Sequence, residues 1–353
     1  LNVNDQPVLS TLGLFEQRFA GDESLMKLAS RRFKEFNMGA EMHADSPEQL
    51  ERVVMFRPWP EAQVILHLPR DFNLSDELSR RRIFEFASRF ADRISGMVIH
   101  DHKQLAHSNS AYVDAAREMN RQLLQLNFGP LLFIEYAVGL EPAEFATFFT
   151  QIADLERLAP CIDIGHVGIR AARVAYARDH DGQDVCELKS QPPLLREVIS
   201  DVESAVHSGY SAVLDLIQAI AAAHKPVHFH LHDAHPLSTF SPFGVSDHLS
   251  FFSEIPLNFE YRGGRSVPAI FGPEGLAEVV QQALHVITPQ RVSFTLEIHP
   301  TNERLTLGEA AGLFSHWTDK TNAERTNHWL SVLTTNHALL RRIIDGVRSI
   351  PIV

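Results

Sequence analysis

VHFHLHDAHP, Val227–Pro236, carries four histidines and an aspartate in ten residues. Its first half alternates with the period of a β-strand, and its end has the composition of a turn. Such a stretch is either a histidine-rich surface segment, in a chain with 19 histidines, or one side of a metal site. The decision rests on what the rest of the chain brings to it.

Other short apolar or β-branched runs have the same look. Working outward, strands are expected at TLGLFEQ (11–17), MGAEMHA (38–44), AQVILHL (62–68), GMVIHD (96–101), LLFIEYA (131–137), PCIDIGH (160–166), VHFHLHD (227–233) and VSFTLEI (292–298). Several are apolar nearly throughout, as strands covered on both faces of a parallel sheet must be. Helical patterns fall between them. SLMKLASRRFKEF sets Leu25, Leu28, Ala29, Phe33 and Phe36 on one side, and the segment after a capping Ser75 does the same with Ile83, Phe86, Ala87, Phe90 and Ile94. Pro142 suits a first helical turn, and Gly346 a helix C-cap.

Strands alternating with helices predict a single (β/α)8 TIM barrel spanning 1–353, its core about 11–346. An open doubly wound sheet is the alternative. Long loops are expected after the sixth and seventh strands, at 167–226 and 234–291, on the face where barrels build their sites.

Composition narrows the function classes. The chain is 44% hydrophobic and 22% charged, without an apolar run long enough to cross a bilayer. Its opening LNVNDQPVLS lacks the basic and apolar parts of a secretory signal, so a reducing cytoplasm is expected. Cys161 and Cys186, the two cysteines, are too few for a disulfide framework or a cysteine zinc knuckle. A net charge of −12 argues against a nucleic-acid partner, which needs cationic surface.

The informative residues break the apolar pattern near the C-terminal ends of strands: His67, His100, Glu135, Asp163, His166, His230 and Glu297. A lone ionised carboxylate there is costly unless paired, hydrogen-bonded or bound to a cation. Any single histidine is equally explained as a hydrogen-bonded core residue, and each glutamate by a buried arginine. Taken together, carboxylates converging on one mouth would repel one another, and a divalent ion removes that problem. Mixed oxygen and imidazole donors suit Mn, Zn, Co or Mg.

With these residues placed, the pattern resembles the xylose isomerase-like barrel superfamily, which includes sugar isomerases, ketose epimerases and zinc apurinic-site endonucleases. PCIDIGH resembles its strand ending in Asp-x-x-His, HLHDA its His-hydrophobic-x-Asp segment, and LLFIEY and FTLEIHP its two glutamate strands. The resemblance implies a divalent metal held by Glu135, Asp163, His230 and Glu297, with Glu135 and Glu297 carrying protons. It makes His166, His67, His100, Asp247 and His248 candidates for a second metal or for substrate. Asp247 and His248 are adjacent, whereas the endonuclease branch separates that pair by one residue. His232 shares a strand face with His230 and is a candidate for its outer shell or for substrate, and Arg262 or Arg265 is a candidate contact for a substrate carboxylate or phosphate. His228 and His235 are expected to serve packing and a loop. The implied activity is isomerisation or epimerisation of a small polyhydroxy or keto substrate by carboxylate-mediated proton transfer. A phosphodiester hydrolase and a non-catalytic ligand-binding barrel stay open, as does a homo-oligomer. The aromatic segment 240–261 is expected to be a lid or an interface.

Overall fold

The computed structural model describes residues 22–106, 110–137, 140–190, 194, 197–234, 236, 259–261, 265–267, 269–297 and 321–348. Helix α1 (Glu23–Glu35) leads into β1 (Ala40–His43), α2 (Pro47–Val53), β2 (Val64–His67), α3 (Glu77–Arg89) and β3 (Gly96–His100). Then come α4 (Lys103–Ala106), α5 (Ser110–Leu124), β4 (Leu131–Glu135), α6 (Pro142–Gln151) and β5 (Leu158–Asp163). Helices α7 (Ile164–Asp179) and α8 (Ile199–Ala221) precede β6 (Val227–Leu231). A hairpin, β7 (Phe259–Tyr261) with β8 (Arg265–Val267), is followed by α9 (Gly272–Val286), β9 (Val292–Leu296) and α10 (Asn322–Arg348).

Among the described residues, seven strands form one sheet in the order β1-β2-β3-β4-β5-β6-β9, every neighbouring pair parallel. Laid flat, its two edges would stand roughly 29 Å apart at the usual strand spacing. Instead Thr295, on edge strand β9, donates its hydroxyl to Glu41 on edge strand β1 at 2.6 Å. The sheet is therefore curled into a nearly closed parallel barrel. The expected strand at 11–17 lies outside the described residues.

Strand alternation sorts the side chains. Met42, Leu66, Met97, Ile99, Leu132, Ile134, Ile162, Phe229 and Phe294 join the apolar layer shared with the surrounding helices. The opposite parity faces inward. There Ile65, Val98, Phe133, Ala159 and Cys161 form a small separate apolar cluster. Gly96 is needed beside it, because a Cβ there would lie 2.6 Å from the Phe133 ring. Apolar burial on both strand faces supplies the bulk of the driving force.

Several boundaries differ from the expectation. The strand expected to reach His166 ends at Asp163, whose carboxylate accepts the His166 amide at 2.8 Å and caps α7. Asp76, not Ser75, caps α3, accepting from the Ser79 amide at 2.7 Å. On α1, Met26, Ala29 and Phe33 are buried while Leu28 and Phe36 are exposed, so the apolar stripe is narrower than expected. Gly346 sits inside α10, which runs on to Arg348. The insertion 167–226 is not a long loop: α7 and α8 fill most of it and pack on one another.

Candidate metal centre

The three alternate histidines of the opening stretch all face the barrel interior, each at its own depth. His228 lies deepest, its ring 5.2 Å from that of Phe133 and its Nδ1 2.7 Å from Ser293 Oγ. His230 follows and His232 is nearest the C-terminal rim, and all three are fully buried. Asp233 then turns the chain. Its carboxylate accepts amides from Ala234, Phe271 and Gly272 at 2.7, 3.1 and 2.8 Å, tying the end of β6 to the start of α9.

Around His230 the barrel gathers its acids. Nδ1 of His230 is 2.8 Å from Glu297 Oε2 and 3.6 Å from Glu135 Oε1. Nε2 is 3.1 Å from Glu41 Oε1. Glu135 also meets His67 Nε2 at 3.0 Å and His100 Nε2 at 3.6 Å, with His166 Nδ1 at 3.9 Å. Asp163 lies 3.5 Å from His166 Nε2 and 2.9 Å from His232 Nε2. Gly165 leaves room for this last contact, because a Cβ there would collide with the His232 ring at 2.0 Å.

The structure thus brings together Glu135, Asp163, His230, Glu297, His67, His100, His166 and His232. Asp247, His248 and Arg262 lie outside the described residues, as do His235 and most of the aromatic segment 240–261. Glu41 was missed. It sits mid-strand rather than at a strand end, yet its parity in AEMH places it opposite the outward Ala40 and Met42. An acid at an inward position was the available signal.

Charge inside the cluster is strongly biased. Burial alone would raise the carboxyl of Glu41, but the His230 charge, the hydrogen bond with His228 and the close approach of His230 hold it well below the usual range. Burial likewise opposes ionisation of Glu135, and its interactions with His100, His230 and His67 outweigh it, leaving its pKa well below normal. Asp163 is lowered in the same way by His166 and His232. Burial would strip the proton from His230, yet Cys161, Glu41, Glu297 and Glu135 raise its pKa well above that of a free imidazole. His100 goes the other way, lowered to about 3 chiefly by burial. The barrel centre thus biases Glu41, Glu135 and Asp163 toward their ionised forms beside buried imidazoles.

These residues fit a divalent ion. Glu135, Asp163 and His230 each offer a donor atom within 4.8 Å of the others, and all are buried. His67, His100 and Glu135 form a neighbouring set at the same spacing, sharing Glu135. Nδ1 of His230 faces Glu297 and Glu135 yet makes no well-aligned hydrogen bond to either, as for donors gathered around a shared point. Among the described residues, the ion-pair partners of Glu135 are imidazoles, so a buried arginine is not what pairs with that glutamate.

Fold and centre define a parallel α/β barrel with a buried carboxylate–imidazole cluster able to hold metal. No family model matches the chain, and no curated protein matches it. Among the described residues, no helix is long and apolar enough to cross a membrane.

Proposed function

We propose that this protein is a metal-dependent isomerase or epimerase of a sugar or a related small polyhydroxy or keto compound. The observation that carries the reading is the approach of two buried carboxylates, Glu135 and Glu297, to one imidazole nitrogen, at 3.6 and 2.8 Å. Glu135, Asp163, His230 and Glu297 would hold the ion, with Mn, Zn, Co and Mg the candidates for such donors. A bound divalent ion supplies charge stabilisation for the substrate oxygens as a proton leaves the neighbouring carbon. Glu135 and Glu297 remove and return that proton from different places on the rim, β4 and the residue just past β9. His166, held through Nδ1 by the Tyr136 carbonyl at 3.0 Å, orients a substrate hydroxyl. The same reading takes the barrel as eight-stranded and of the xylose isomerase-like kind.

A second reading, hydrolysis of a phosphodiester, is favoured by one feature: the His67–His100–Glu135 set abutting the Glu135–Asp163–His230 set. Adjacent donor sets sharing a carboxylate are how two-ion hydrolases are built. The acidic net charge of −12 opposes a polyanionic substrate.

The test is solvent exchange. Protein loaded with Mn(II) in deuterated water is offered a panel of aldoses and ketoses, and deuterium entry beside the carbonyl is followed by NMR. Exchange is expected in the wild type and should vanish in Glu297→Gln with an unchanged melting temperature. Exchange retained in that variant would exclude Glu297 as a proton carrier. Cleavage of a phosphodiester with no exchange on any sugar, in protein carrying two ions, would favour the second reading.

A further inference from the structure

Metal-binding histidines work through two nitrogens: one meets the ion, and the other is fixed by a partner that sets tautomer and ring angle. Glu135 and Glu297 both approach Nδ1 of His230, whereas Glu41 alone of these acids approaches Nε2, at 3.1 Å. Glu41 is itself held from two further strands. Thr295 on β9 donates to its Oε2 at 2.6 Å, and His228 on β6 places Nε2 3.3 Å from the same oxygen. His228 is anchored in turn through Nδ1 to Ser293 at 2.7 Å. This network is 1% exposed at Glu41 and fully buried at His228, His230 and Thr295, so solvent does not compete for it.

We propose that Glu41 is the positioning residue of the metal centre, holding Nε2–H of His230 so that Nδ1 is presented to the ion. The inference rests on the metal reading above and adds to it a role on the first strand, outside the donor set. It also explains why a carboxylate occupies the barrel interior next to imidazoles, one layer below the mouth. An uncharged acceptor would orient the ring but raise its basicity as a ligand less than a carboxylate does. Thr295 contributes by fixing which oxygen of Glu41 faces the ring.

Glu41 also lies within ligand spacing of His67 and His230, so direct ligation is the competing role. The experiment separates the two. Mn(II) affinity is measured by chelator competition for wild type, Glu41→Gln and Thr295→Val, and the visible spectrum of each Co(II)-loaded protein is recorded. Affinity is expected to fall about 10- to 100-fold in Glu41→Gln and about several-fold in Thr295→Val, with Co(II) band positions unchanged because the ligands are the same. Unchanged affinity in both variants overturns the proposal. So does a Co(II) spectrum of Glu41→Gln that reports a lost ligand, since Glu41 would then bind the ion itself. Should Glu41→Gln fail to fold, the affinity of Thr295→Val decides alone, and wild-type affinity there overturns the proposal. A wild-type protein that takes up neither Mn(II) nor Co(II) would remove the metal reading, and this inference with it.

Discussion

His228 and His230 stand two residues apart on one face of β6, and their surroundings give them different work. His228 packs on Phe133 and hydrogen-bonds Ser293 in the lower barrel, where burial pulls its pKa down. His230 meets three glutamates. His230→Gln should therefore abolish stoichiometric Mn(II) uptake in elemental analysis, whereas His228→Gln should keep an ion and lose roughly tenfold in affinity, as outer-shell changes do. Equal loss of bound metal in the two variants would mean that the wrong imidazole has been assigned. Residue type and spacing made His230 legible in the sequence, as they did Glu135, Asp163 and Glu297. Glu41 was less legible: alternation with Ala40 and Met42 sets its face, but nothing local tells that this face meets His230. That contact joins residues 189 positions apart and exists only once the sheet has curled.

At the scale of elements, the helices carry their own pH dependence away from the metal centre. His337 on α10 is buried, and that burial, with Arg341 nearby, lowers its pKa to about 4. Its ordinary value lies near 6.5, so the folded form prefers the neutral ring. The associated stability is fully present above pH 6.5, declines as the pH falls, and is lost once the pH has passed through about 4. Urea unfolding at pH 7 and pH 4 should show a smaller acid loss in His337→Gln than in wild type, by up to roughly 3 kcal/mol. Identical acid losses would show that His337 does not titrate between those limits. Element ends were the least legible part of the sequence. PCIDIGH reads as continuous strand because its apolar alternation runs on, but the Asp163 cap converts the chain to helix one residue later. Gly346 reads as a stop signal, yet a glycine within a helix costs only about 1 kcal/mol, which packing of the flanking Ile344 can offset.

For the molecule as a whole, the centre couples metal to stability. The acids on β1, β4 and β5 and Glu297, just past β9, meet inside one barrel, so an ion that binds only the closed barrel stabilises all of it. Mn(II) at a hundred times its dissociation constant should contribute about 2.7 kcal/mol, read as a rise of several degrees over chelated protein. Potassium at matched ionic strength should not reproduce the rise. If Mn(II) leaves the melting temperature unchanged, the cluster is not a high-affinity site.

The sequence by itself determined the parallel α/β alternation, the strand centres between residues 40 and 296 and most of the acids and imidazoles, because period-two burial and the cost of an unpaired charge act locally. Only the tertiary structure decided which residues share a depth in the barrel and which nitrogen of His230 faces which carboxylate. It also set strand against helix at 164–166 and made helices of most of 167–226. Curvature of the sheet is the physical reason: it brings β1 beside β6 and β9, and no pattern within one strand encodes that approach.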